Sequence, residues 1–215
     1  MNVDFSFFFK KYESLREKVD KTFLRVQSQF PDCVKCQSKC SDCCFALFDI
    51  TLIEAIYVNH HFNRVFNGNE KKRLFDKSSK ADRKVYKIKK DAYKQYSTGK
   101  SEEEIVTKIA KERIRCPFLN EQNLCDFYDF RPITCRLYGI PTSSGNISHT
   151  CGISGFTQGQ KYPTVNFFKI QEQLYEISAE LLQQIKSKHN KMADIIVPLS
   201  MAILTDYNEE YLGIE

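Results

Sequence analysis

Nine cysteines in 215 residues fall into two groups and one outlier. Five lie in the stretch CVKCQSKCSDCC, at Cys33, Cys36, Cys40, Cys43 and Cys44; three follow at Cys116, Cys125 and Cys135; Cys151 stands alone. Two cysteines separated by two residues sit at the ends of a turn and can direct both thiolates at one ion, a spacing met at Cys33/Cys36 and Cys40/Cys43. A tetrahedral site takes two such contributions. The second group would therefore close a centre begun by the first and tie distant parts of the chain together. Cys43 and Cys44 are neighbours whose side chains diverge, which assigns them to two ions or to two corners of one cluster. Free cysteine also serves as a small apolar residue. That use fits poorly with a stretch that interleaves its thiols with Lys35, Lys39, Ser41 and Asp42.

Four thiolates on one zinc ion leave a net charge of about −2, so cations or amide donors must stand close by. Arg113, Arg115, Arg131 and Arg136 bracket the second group, and Arg131 and Arg136 are the candidate donors. A lone loop histidine such as His149, beside Cys151, is seldom a ligand. His60 and His61 fall on an expected helix away from the cysteines, and Glu54 is more simply a helix cap than a catalytic base.

The elements that must position these thiols are mostly helical. Phe8, Tyr12, Leu15, Val19, Phe23, Val26 and Phe30 recur every three or four residues, which predicts an amphipathic helix from about Asp4 to Gln29 that Pro31 ends. Thr51 and Glu54 match a capping box and open a helix from Leu52 to about Phe66. Leu74, Ser78, Ala81, Val85, Ile88, Ala92 and Tyr96 mark a long lysine-rich helix closed by Gly99. Ser101 and Glu104 cap a short one towards Lys111. Residues 113–139 read as two short strands around the polar turn Asn120 to Asn123, then a brief helix with Pro132 in its first turn. Pro141 to Pro163 is a Ser-, Thr- and Gly-rich loop that something must pin. Phe167, Ile170, Leu174, Ile177, Leu181 and Ile185 give a further helix, and VPLSMAILT a last short one. The expected fold is mainly α: a single compact helical domain, residues 1–215, around an irregular cysteine-rich centre with a short β-hairpin. Its parts are an N-terminal helix (1–30), a cysteine core (33–151) carrying a lysine-rich helical insertion (69–112), and C-terminal helices (164–215).

Composition narrows the partners. With 42% hydrophobic and 13% aromatic residues the chain can build its own core without disulfides. Phe7, Phe8 and Phe9 lead straight into Lys10 and Lys11, unlike a secretory leader. The longest apolar stretch, Ile195 to Leu204, is about half of a roughly 20-residue membrane span and holds Pro198. A cytoplasmic setting with reduced thiols is expected, and no membrane partner. Net charge is +5, and 16 of the 32 basic residues lie between Glu70 and Arg115 against eight acidic ones. These lysines fall where a solvated helix face puts them, with no aromatic or glycine motif of a nucleic-acid module, which argues against a nucleic-acid partner.

CQSKCSDCC followed by CPFLNEQNLCDFYDFRPITCRLYG resembles the YkgJ-type cysteine-cluster family, zinc- or iron-chelating domains of bacteria. The family pattern is C-x2-C-x2-C-C, then C-P-F-L, then a cysteine and R-P-x-x-C-R. The resemblance runs from about Cys36 to Cys151 and implies ligation by Cys36, Cys40, Cys43, Cys44, Cys116, Cys125 and Cys135, with Cys151 as the later cysteine. Three residues, not two, separate Cys36 from Cys40, and Cys33 is additional, so Cys33 and Cys36 are alternatives for one ligand position. The implied cofactor is an iron–sulfur cluster or Zn2+, with metal as the partner and no assigned reaction. An alternative is an iron–sulfur enzyme related to flagellin lysine N-methylase, although no glycine-rich strand-to-helix turn for S-adenosylmethionine is present. The scattered spacing of Cys116, Cys125 and Cys135 leans towards an iron–sulfur cluster. All eight family-matched cysteines are expected to meet in one continuous centre, with Cys151 pinning the 141–163 loop.

Overall fold

In the computed structural model, which describes residues 3–145, 147–157 and 159–214, eight α-helices carry most of the chain. Helix α1 (Ser6–Gln29) buries Phe8, Phe9, Tyr12, Leu15, Val19 and Val26 on one stripe. Its last turn closes where the Phe30 amide donates to Val26 O at 2.9 Å, just ahead of Pro31. A first strand, β1 (Asp49–Thr51), runs directly into α2 (Leu52–Val65). The Thr51–Glu54 capping box is present, with Glu54 Oε2 accepting from the Thr51 amide at 3.3 Å. Glu54 also reaches across the fold, because its Oε1 accepts from the Ile133 amide at 2.9 Å. Helix α2 is the centre of the molecule, with every residue from Leu52 to Val58 buried.

Two apolar clusters flank α2. The first joins α1 and α2 to α5 (Ile133–Leu137) and α6 (Phe167–Gln184) through Ile53, Ile56, Tyr57, Leu137, Leu174 and Leu181. The second joins the other face of α2 to α3 (Gly68–Ser97) and α7 (Leu199–Leu204), and takes in Phe118 and Phe127 from the second cysteine region. Those two rings stack at 4.4 Å between centroids and fasten that region to the body. Helix α3 buries Leu74, Ser78, Ala81 and Val85 only. Beyond Val85 its apolar periodicity meets just the short α4 (Glu102–Ala110), so Ile88 and Ala92 are half-buried and Tyr96 is exposed. The chain ends in α8 (Glu209–Leu212). Among the described residues no helix is long and apolar enough to cross a membrane.

The β structure lies elsewhere than the sequence suggests. Around Asn120 to Asn123 there is one bridge, Leu119 to Cys125, and no strands. Pro117 has no amide to extend a ladder. The Asn120 side chain instead accepts from the amides of Gln122 and Leu124, both at 2.9 Å, and satisfies the turn locally. The hairpin proper falls within the expected loop, as β2 (Thr142–Ser144) and β3 (Ile147–His149), antiparallel, with Gly145 at φ +60° in its turn. Strand β4 (Val165–Asn166) adds parallel to β2. Strand β5 (Ile196–Pro198) pairs antiparallel with β1, joining the chain just after the first cysteine region to the entry of α7.

Candidate metal centre

Short backbone pairings bring the two cysteine regions together. Residues 42–45 form one turn of 3-10 helix that carries Cys43 and Cys44, and the chain then runs beside residues 113–116. Ala46 bridges Arg113, the Ile114 amide donates to Phe45 O at 3.0 Å, and the Cys116 amide donates to Cys44 O at 2.7 Å. These bonds place Cys116 next to Cys44. The Leu119–Cys125 bridge folds Cys125 back beside Cys116. Cys135 enters from the first turn of α5, where its amide donates to Pro132 O at 3.1 Å.

The result is a pocket lined by Cys43, Cys44, Cys116, Cys125 and Cys135, closed on its far side by apolar residues of α3 and α7. Cys43 and Cys44 thus both line one cavity. The neighbouring Cys44 thiol, together with the positive charge of Arg131, pulls Cys43 down to about 7 against its burial. Cys44 is pushed up in turn by the neighbouring Cys43 and by burial. Burial raises Cys116 to about 12, holds Cys135 well above an ordinary thiol, and raises Cys125 too. Cys43 is therefore the pocket thiol most readily deprotonated, and ligation by the others requires a cation to displace their protons.

Cys36, Cys40 and Cys151 lie outside the pocket lining. Cys36 Sγ donates to Tyr138 O at 3.4 Å, and Cys151 Sγ to Asp42 Oδ2 at 3.4 Å. Burial first, then the nearby Cys40 and Cys151, push Cys36 up to about 12. Cys33 sits at the edge, its carbonyl accepting from the Gly155 amide at 2.8 Å. His149 is exposed in β3. His60 and His61 lie on α2 among Phe9, Tyr57 and Phe130.

Of the arginines, Arg131 stacks over Tyr128 at 3.5 Å while its charge favours the thiolates of Cys43, Cys125 and Cys135. Arg136 is a staple of the fold. It is 8% exposed, and it donates to both Asp20 carboxylate oxygens and to the carbonyls of Arg131 and Asp129. Three further residues shape the site: Asp42, Tyr138 and Gly139. A Cβ at Gly139 would stand 2.2 Å from Cys36 Sγ, and its φ of +108° itself favours glycine. The sequence marks Tyr138 and Gly139 only as the tail of CRLYG and Asp42 only as a spacer between cysteines.

The donor set of the pocket fits a thiolate-bound metal, because five sulfurs and no carboxylate or imidazole line it. As the side chains stand, no three Cys, His, Asp or Glu among the described residues are grouped to hold an ion. Ligation requires the thiols to lose their protons and turn out of their present contacts. No curated protein and no solved structure matches the chain. Residues 35–152, more than half of its length, match the CxxCxxCC family, described as "Putative zinc- or iron-chelating domain", and the chain belongs to that family.

Proposed function

We propose that this protein holds a metal centre in the five-thiol pocket, with an iron–sulfur cluster or a zinc ion ligated by cysteines drawn from Cys43, Cys44, Cys116, Cys125 and Cys135. One observation carries this reading: three separate segments converge to line a single pocket whose only metal-binding side chains are thiols. When bound, the group supplies positive charge that holds several thiolates at once. The chain provides Cys43 as the most readily deprotonated thiol, the charge of Arg131 to offset the excess negative charge, and apolar residues of α3 and α7 that line the pocket beside the sulfurs. The scattered donors at 116, 125 and 135 favour a cluster over a zinc ion, since zinc sites more often use two tight cysteine pairs. The alternative reading as an S-adenosylmethionine enzyme gains nothing here. Among the described residues the strands are two or three residues long and build no nucleotide-binding sheet.

The test is elemental analysis and visible spectroscopy of protein purified without oxygen. A cluster gives brown protein with iron and acid-labile sulfide; a zinc site gives colourless protein with stoichiometric zinc. Cys135→Ser is expected to lower either content. Folded wild-type protein that carries neither, even after reconstitution with iron and sulfide or with zinc, would end the proposal.

A further inference from the structure

Helix α3 concentrates the positive charge of the chain. It holds eleven Lys and Arg against four Asp and Glu, a surplus of seven where the whole chain is +5. Two sides of the helix are occupied. The body takes Leu74, Ser78, Ala81 and Val85, and binds Asp82 through Ser200 Oγ at 3.1 Å and Lys89 through Asp49. Helix α4, with three glutamates in its first turn, meets Ile88 and Ala92 through Ile105 and Ile109. The strip left free lies opposite α4, since Lys90 is two residues, about half a turn, from both Ile88 and Ala92. Three cation–ring pairs repeat along it: Lys72/Phe75, Arg83/Tyr86 and Lys90/Tyr93, each ring three residues after its cation. Successive pairs stand eleven and seven residues apart, about three and two whole turns, so the rings make one row and the cations a second row beside it. Phe75, Tyr86 and Tyr93 are 44%, 64% and 72% exposed. Lys72, Arg83 and Lys90 are exposed too, and among the described residues none of them forms an ion pair. Lys90 Nζ stands 5.9 Å from the centre of the Tyr86 ring. Asp76 is the acid on the same strip.

A solvated basic face needs lysines but no rings. Rings held in water at a fixed offset from unpaired cations suit a ligand that offers both negative charge and flat apolar faces. We propose that this strip of α3 binds single-stranded nucleic acid, with Lys72, Arg83 and Lys90 on phosphates and Phe75, Tyr86 and Tyr93 stacked on bases. At about 1.5 Å rise per residue the rings follow one another at about 16 and 10 Å. Bases in a duplex are packed at about 3.4 Å with their faces hidden, so only bases splayed from a single strand can meet such rings. An acidic protein would answer the cations and leave the rings without faces to stack on. An anionic lipid surface fits less well, because α3 exposes no Leu, Ile or Val to enter it. The lysines taken alone argue against a nucleic-acid partner; the exposed rings in register with them reverse that reading. Phosphate and stacking contacts carry no sequence code, so DNA and RNA strands are expected to bind alike. The proposal uses none of the pocket's side chains and stands apart from the metal reading.

The experiment titrates the whole chain, as purified, into fluorescently labelled mixed-sequence single strands of about 20 nucleotides, one of DNA and one of RNA. The matching duplex, polyglutamate and phosphatidylserine vesicles serve as competitors. Both strands are expected to bind and to quench tyrosine emission, which no tryptophan masks in this chain. The double variant Tyr86→Ala/Tyr93→Ala keeps every charge, and is expected to bind about 10-fold or more weakly and to lose most of the quench. Replacing Lys72, Arg83 and Lys90 by Gln keeps every ring, and is expected to flatten the slope of log affinity against log salt by about 2. Circular dichroism and metal content check that each variant is otherwise as the wild type. One strand type binding alone, and lost in the tyrosine variant, supports the site and assigns its nucleic acid. Folded wild-type protein that binds neither strand at low salt overturns the proposal. So does a tyrosine variant that binds as tightly as the wild type, which makes α3 a plain polyanion patch. A duplex, polyglutamate or vesicle that competes as well as an unlabelled single strand hands the strip to that other partner and equally ends the proposal.

Discussion

Helices α1, α2 and α6 interlock through side chains such as Tyr12, Ile53, Leu174 and Leu181, all at or near zero exposure, whereas the segments that bear the cysteines are joined by single backbone bonds and polar staples. From Cys33 to Phe48 and from Arg113 to Tyr162 regular structure is scarce: two short 3-10 turns, α5 and the small hairpin. Phe118, Phe127, Ile133 and Leu137 are the main apolar anchors by which this region grips the body. The difference teaches where a metal has work to do. Burial alone can hold the helical frame, at roughly 25 cal/mol per Å2 of apolar area. In the cysteine region each thiol is half-buried, Cys151 excepted, and where Cys36 and Cys151 have partners these are a carbonyl and a carboxylate at 3.4 Å, so a metal would replace weak contacts with strong bonds.

The largest way to probe that contrast is inside the frame. Leu174 is 1% exposed, packed in the first cluster between α1 and α2. Leu174→Ala removes buried methyl groups and leaves a cavity, with an expected loss of about 2–5 kcal/mol in chemical denaturation. Metal content per folded molecule should stay as in the wild type. A fall in metal content at full folding would show that frame and centre are one cooperative unit. Metal removal is the complementary probe. Chelation is expected to speed hydrogen exchange and proteolysis in residues 33–48 and 113–163 while amides of α1, α2 and α6 keep their protection. Apolar packing that needs no metal confines the expected loss to the cysteine side, since α1, α2 and α6 pack through buried side chains. Parallel loss of protection in α6 would show that the metal holds the whole chain.

How much of this is legible without coordinates follows from the same contrast. The stripes Phe8-Tyr12-Leu15-Val19 and Ile170-Leu174-Ile177-Leu181 state their helices through 3.6-residue spacing, and Thr51 with Glu54 states a cap. The β1–β5 pairing is not legible, since Asp49 and Pro198 lie in unrelated stretches and neither strand exceeds three residues. The hairpin is misplaced for a local reason: Asn120 satisfies its own turn, and the Ser/Thr-rich 142–149 run carries no apolar alternation to announce strands. Cysteine spacing draws the two regions towards one centre. It cannot show that Cys36 and Cys151 meet the Tyr138 carbonyl and the Asp42 carboxylate instead of lining the pocket, because that division depends on which carbonyl or carboxylate each sulfur meets. Asp42 itself is invisible as a site residue, since one acid among cysteines looks like any polar spacer.

The smallest effect is expected at the seam between the two regions. His61, on α2, stacks on Phe130 at 4.1 Å between centroids, and Phe130 ends the turn that leads through Arg131 into α5 and Cys135. Burial, then the charges of His60 and Arg64, pull His61 down to about 4; across from it on α1, Glu13 acts in the opposite sense and Arg16 in the same one. The ordinary histidine value is about 6.5, so between 6.5 and 4 the unfolded chain binds a proton that the folded chain refuses. The contribution of His61 is therefore complete above about pH 6.5, declines as pH falls, and is lost through pH 4. The ring is half-exposed, and solvent screening keeps the effect under about 1 kcal/mol. His61→Phe keeps a ring against Phe130 and removes the titration, so its melting temperature should fall less than that of the wild type between pH 6.5 and 4.5. A seam that transmits this strain would also lower metal retention of the wild type, relative to His61→Phe, over the same interval. Identical pH profiles for the two proteins would show that His61 protonates in the folded state without cost, and that the stacking on Phe130 does not couple the frame to the centre.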